Sequence, residues 1–192
     1  CHSIRVNAAS EGARAEQAET ALSWVADHLA PIGLYGLLAP LETLYGHELP
    51  TVRLAAVRSL SRYYYKRTFV TLERALVDAD PRVVKEAIGA VERLRFDHAF
   101  DPLSRIYRTS SLVEARLAAL RSIARIDAVE AAELVLGALD HGGPEERETV
   151  TAALKAGRGS RFVDVARAAY PDASPRLRAS LDEVLRARGL SV

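Results

Sequence analysis

The chain has 192 residues, 49% of them apolar, with 26 basic against 25 acidic side chains and a single cysteine. That is enough apolar material for a substantial core, and the near balance of charge gives no general pull toward nucleic acid or acidic polymers. One cysteine excludes an internal disulfide and any cysteine-based structural zinc or iron–sulfur site, and no apolar run approaches the roughly 20 residues that span a bilayer.

Residues 1–10 are mostly small or polar, lack a strong helical pattern, and read as an N-terminal tether. A capping helix is predicted within 11–30, where Leu22, Val25, Ala26 and Leu29 recur at helical spacing while Glu11, Glu16, Glu19 and Asp27 take the other side. It has no repeat signature, and Trp24 is expected to pack into the core or the cap.

Residues 31–192 are built on a repeat of 31 or 32 residues. VRLAAVRSL at 52–60 returns 63 positions later as ARLAALRSI at 115–123, with VVKEAIGAV at 83–91 in the same register and weaker echoes at 146–154 and 177–185. Two residues before each segment stand Pro50, Pro81, Val113, Pro144 and Pro175. Self-similarity at this period signals stacked helical hairpins, because a lone hairpin cannot bury both of its apolar stripes. First helices are predicted near 34–46, 68–78, 98–109, 128–140 and 161–170, and second helices near 51–65, 82–96, 113–126, 145–157 and 176–188. In the second unit Phe69, Leu72 and Leu76 form one stripe and Val83, Ala87, Val91 and Leu94 the other; Asp80 caps the second helix and Pro81 fills its first turn. Small residues such as Ala55, Ala56, Ala118 and Ala119 allow close helix approach.

These features resemble the short bacterial type of HEAT repeat, whose unit has aspartate and proline in the turn, then valine and arginine early in the second helix. Asp80, Pro81 and Val83 match, with Val84 in place of the arginine; Pro50, Val52 and Arg53, then Arg116, Pro144 with Arg147, and Pro175, Leu177 and Arg178 match elsewhere. The likeness covers about 34–188. It implies an all-α, right-handed α-solenoid of about five hairpins with an extra N-terminal helix, second helices lining a concave face, and Arg53, Arg116, Arg147 and Arg178 pairing with turn aspartates of adjacent units.

No catalytic constellation stands out, so no enzyme activity and no cofactor are expected. The five histidines never pair at metal-ligand spacing, and no phosphate-loop, dinucleotide or nucleophile-elbow motif occurs. Gly142, Gly143, Gly157 and Gly159 read as helix terminators. Charge, however, is sorted. The second helices with their flanks carry 19 basic and 8 acidic residues, and the rest of the chain 7 and 17. On the concave face that the resemblance implies, this sorting would attract an acidic protein partner. Candidate binding residues are Arg58, Arg62, Arg93, Arg95, Arg121, Arg125, Lys155 and Arg158, plus Tyr63, Tyr64, Tyr65, Lys66 and Arg67, whose three successive rings on one helix cannot all be buried. Solvated surface charge is the plainer reading of the same residues.

No methionine occurs in the chain. Cys1 at the first position resembles the lipidated cysteine of a mature bacterial lipoprotein; a fragment of a longer chain or removal of an initiator methionine fits as well. The leading expectation is therefore a non-catalytic protein–protein scaffold held at the bacterial envelope through lipid on Cys1, at the outer membrane facing the periplasm, where it assembles or stabilises a larger complex. The alternatives are a cytoplasmic HEAT-like nucleic-acid binder, which the balanced charge disfavours, and a protein resembling the HEAT-like repeats of bilin lyases or a chaperone.

Overall fold

A computed structural model describes residues 16–28, 35–63, 65–93 and 99–190, and every regular element among them is helical. After α1 (16–28), five first helices alternate with five second helices: α2 (Leu38–Tyr45, entered through a 3-10 turn at Tyr35–Leu37) and α3 (Pro50–Leu60), α4 (Lys66–Ala75) and α5 (Pro81–Arg93), α6 (Phe100–Thr109) and α7 (Val113–Ile123), α8 (Val129–His141) and α9 (Pro144–Ala156), α10 (Arg161–Ala169, continuing as a 3-10 turn at Tyr170–Asp172) and α11 (Pro175–Ala187). The expected tether, with Cys1, lies outside the described residues. So does Arg95.

The helices start where the sequence supplies a cap. Asp80 Oδ1 accepts from Arg82 N at 2.8 Å, leaving Pro81 in the position whose missing N–H costs nothing. Ser174 Oγ does the same for Leu177 N at 3.1 Å ahead of Pro175. Gly143 has no side chain to offer α9, so only the reciprocal bond is made, from Gly143 N to Glu146 Oε2 at 3.1 Å.

One helix end departs from expectation. α3 stops at Leu60 rather than running to 65, because Ser61 Oγ turns back to Arg58 O at 2.8 Å and the next two amides make three-residue bonds, Arg62 N to Ser59 O and Tyr63 N to Leu60 O. Tyr63 and Tyr65 therefore sit in a connection and not on a helix face, and Lys66 and Arg67 open the first helix α4.

The chain forms two compact units, 1–90 and 91–192, with the division inside α5. In the first, α2 packs along α3 and α4 reaches both, around a core of Ala26, Leu38, Leu41, Ala55, Leu60 and Tyr63. In the second, α6 packs on α7; α7, α9 and α11 lie side by side as one layer, and α8 lies against α10 as the other. Ala118 and Ala119 are fully buried there beside Leu120 and Ile123.

A serine ties successive layers together. Ser59 on α3 donates to Ala26 O on α1, and Ser122, 63 residues later on α7, donates to Val91 O at 2.8 Å. Both serines are buried, and each hydroxyl satisfies itself on a neighbouring helix rather than its own. The helix α1 thus meets α3 as Val91 meets α7, and Trp24 points outward, 59% exposed and stacked on His28 at 4.0 Å, instead of filling core.

Candidate partner-binding site

The arginine that opens the second helices serves the fold. Arg53 makes a two-pronged contact with Asp78, Nη2 to Oδ1 at 2.8 Å and Nε to Oδ2 at 2.9 Å, and Nη1 reaches Glu48 O at 2.8 Å and His47 O at 3.1 Å. The Asp78 side chain is 5% exposed, and the Tyr45 hydroxyl and Asp80 N complete its shell. The Arg53 guanidinium holds the Asp78 carboxyl below the usual carboxylate range against the opposing effect of burial; burial first, then Asp78, pushes the Tyr45 phenol up. Pairing with a turn aspartate is not shared by the other three. Arg116 donates to Ser110 O at 3.3 Å, Arg147 to Gly142 O, and Arg178 to Pro171 O at 2.6 Å and Tyr170 O at 3.3 Å. The common role is a cation satisfying carbonyls of the turn between the two helices, groups left over where the first helix ends.

Cations in the last turns of three second helices are taken up by lateral pairs. Arg58 lies 3.4 Å from Asp27 on α1 and 3.8 Å from Glu86 on α5. Arg121 Nε is 2.9 Å from Glu92 Oε1, off the N–H direction, so the contact is an ion pair and not a hydrogen bond. Lys155 on α9 meets Glu183 on α11 at 2.6 Å. Arg67 grips Glu42 of α2 at 2.6 and 2.8 Å. The sequence placed Arg58, Arg121 and Lys155 on second helices, but it counted Arg67, which opens the first helix α4, with the second-helix layer, and it could not show the carboxylates beside any of them.

A third position behaves differently. Each second helix closes on an arginine or is followed by one within two residues: Arg62, Arg93, Arg125, Arg158 and Arg188. In the second unit three of these converge. A cavity of about 340 Å³ is lined by Arg125, Arg158 and Arg188, by Asp127, and by an apolar wall that includes Ile126, Leu154 and Phe162. A second cavity of about 460 Å³ shares Arg158 and Arg188 and adds Lys155 and Leu190. Asp127 is already engaged, because its Oδ1 accepts from Arg161 N at 2.8 Å at the start of α10. Arg188 Nη2 donates to Gly159 O at 2.8 Å and pins the 157–160 loop. At Gly159 a Cβ would stand 2.7 Å from Asp127 Oδ1, so a larger residue would have to displace the Asp127 carboxylate from its place against α10. Among the described residues neither Arg125 nor Arg158 has a carboxylate within salt-bridge reach, although Arg125 is half-buried.

Of the remaining candidates, Arg62 and Arg93 are exposed at their helix ends. Tyr63 is buried, Tyr65 is 38% exposed, and Tyr65 meets Tyr35 edge-on with centroids 5.0 Å apart. Tyr64 lies outside the described residues. Arg188 was missed by the sequence reading, yet it stands 63 residues after Arg125 as Arg125 stands 63 after Arg62, the same interval that ties the serines. Gly157 and Gly159 do terminate a helix, and they also form the cavity wall. Among the described residues no group of three or more His, Cys, Asp or Glu is arranged to hold a metal, and no helix is long and apolar enough to cross a membrane.

No protein-family model and no curated protein matches the chain. Among solved structures it is similar to a designed armadillo repeat protein, at 20% identity over 89% of this chain and 92% of that one with a TM-score of 0.44. A designed armadillo repeat protein in complex with the peptide (KR)4 shares 18% identity over 90% and 92%, with a TM-score of 0.43. Computationally designed armadillo repeat proteins for modular peptide recognition give 19% over 90% and 92%, with a TM-score of 0.41.

Proposed function

We propose that this chain is a non-catalytic interaction scaffold that binds an acidic protein partner through its second-helix layer. The observation that carries the proposal is the recurrence of an arginine at the end of each of those helices, with Arg125 and Arg158 meeting at one cavity in the second unit. A cation at a helix C-terminus is favourable by itself, worth roughly 0.3–1 kcal/mol. Dipole compensation alone would aim the guanidinium at the terminal carbonyls; among the described residues the side chains of Arg125 and Arg158 make no such bond and instead line open cavities. Arg125 and Arg158, left without a carboxylate among the described residues while Arg121 and Lys155 about a turn earlier are paired, suit a surface kept for a partner.

Binding of acidic, neutral and basic peptides to the intact chain tests this. Acidic peptides are expected to bind selectively and to weaken with salt. Preference for basic peptides would overturn the acidic-partner reading, and tighter, salt-dependent binding of duplex DNA would replace it with the nucleic-acid alternative. The finer proposal adds an envelope address and a role in assembling or bracing a larger complex there, both resting on the Cys1 resemblance. Intact mass of the protein from its own cells decides it: acyl chains on Cys1 support the anchor, and an unmodified Cys1 ends it.

A further inference from the structure

Three arginines around one small cavity define a more specific ligand than an acidic surface. The side chains alone sum to a formal charge of +2, with Asp127 set against Arg125, Arg158 and Arg188. Helix ends change that. The cavity collects the C-terminal ends of α7, α9 and α11, each worth roughly half a negative charge, and the N-terminal end of α10, worth roughly half a positive one. The effective charge falls to about +1, which suits a monoanion better than a dianion. The lining also has an apolar part, with Ile126, Leu154 and Phe162 each at least nine-tenths buried, so they form a firm surface rather than loose side chains. A volume of about 340 Å³ lies at the small end of ligand pockets, which run from about 300 to 1,000 Å³.

Resting on the scaffold reading, we infer that this cavity captures a single carboxylate carried next to an apolar side chain of the partner polypeptide. The carboxylate is received by Arg125 and Arg158, and the hydrocarbon lies on Phe162 and Leu154. Arg188 holds the loop in place through Gly159 O and acts as a positioning residue. Asp127 Oδ1 accepts from the α10 amide, and neither Arg125 nor Arg158 is within salt-bridge distance of its carboxylate, so both guanidiniums are uncommitted among the described residues. Two sources supply this chemistry: a chain terminus ending in an apolar residue, or an internal Glu or Asp beside one.

Calorimetric titration of the intact chain with three otherwise neutral hexapeptides separates the possibilities. One ends in leucine with a free carboxylate, the second is its amide, and the third is amidated but carries an internal Glu–Leu pair. The plain amide is expected not to bind. Binding of the first alone assigns a chain terminus, and comparable binding of the first and third assigns a side-chain carboxylate. Arg125→Gln and Arg158→Gln are each expected to weaken binding by about tenfold or more, as loss of a charged hydrogen bond does; neither side chain bonds elsewhere among the described residues, and thermal melts confirm that the variants fold. Equal binding of acid and amide overturns the inference, as does inorganic phosphate binding more tightly than either carboxylate peptide. Unchanged binding of the carboxylate peptides in both variants also overturns it, but then acidic ligands still bind elsewhere and the scaffold reading stands. If the long acidic peptides fail against the unaltered chain, the scaffold reading itself falls.

Discussion

Arg53 and Arg125 carry the same group on the same type of helix, three residues after the start of α3 in one case and two after the end of α7 in the other. At the start of the helix, the guanidinium is held by Asp78 and two carbonyls and is 15% exposed. At the end, its counterpart lines a cavity with no carboxylate in reach among the described residues. The first helix of each hairpin delivers its orphan carbonyls to the turn, beside the second helix's opening residues, so a cation there is bound into the fold. Two or three turns further on the chain has already left that environment. Position along the helix, more than charge, separates a structural arginine from one available to a ligand.

The contrast can be broken by substitution. Asp78→Ala leaves the Arg53 guanidinium without its carboxylate in a site where both side chains are largely buried, and is expected to cost about 3 kcal/mol in urea unfolding. A loss under 1 kcal/mol would mean that Arg53 is no more structural than Arg125. The acid limb of stability sharpens the same point. Because the folded state depresses the Asp78 carboxyl, its contribution is present above the ordinary aspartate value near 4 and fades as pH falls through the lower folded value; Asp78→Asn should flatten that part of the curve. Gly142→Ala, at the turn whose carbonyl Arg147 holds, would drive a Cβ into Ala138 O and is expected to cost about 2 kcal/mol. Removing Lys155 from its exposed pair with Glu183 should cost under about 1 kcal/mol, with the loss shrinking in salt. Smallest of all, Arg158→Gln should change stability by no more than about 0.5 kcal/mol while weakening ligand binding. A large destabilisation there would move Arg158 to the structural side.

Much of the helical order was readable because it is local. Proline opening four of the five second helices, alanine in their middles and a return of 31 or 32 residues place ten helices within a few residues of where they lie. The end of α3 was not readable, because continued helix and the Ser61 hydroxyl turning back on the Arg58 carbonyl differ by little, and three tyrosines in succession suit either. The site was readable only in part. Sequence placed Arg125, Lys155 and Arg158 at the edge of the second helices; it could not show that Glu183, 28 residues away, neutralises Lys155, or that Asp127 meets the α10 amide and forms no ion pair with Arg125 or Arg158. Arg188 needed only the 63-residue interval, but its value comes from its bond to a loop carbonyl, which the interval does not reveal.

The buried serines at 59 and 122 have a mechanical consequence. A hydroxyl that finds its acceptor on the next helix works as a detent: sliding the two helices past each other by even one residue would strand a buried donor, at a cost of about 1–3 kcal/mol per serine. Alanine surfaces alone offer little resistance to such shear, since small side chains make shallow ridges. Under lateral load the helices within each unit should therefore flex about their turns before they slip.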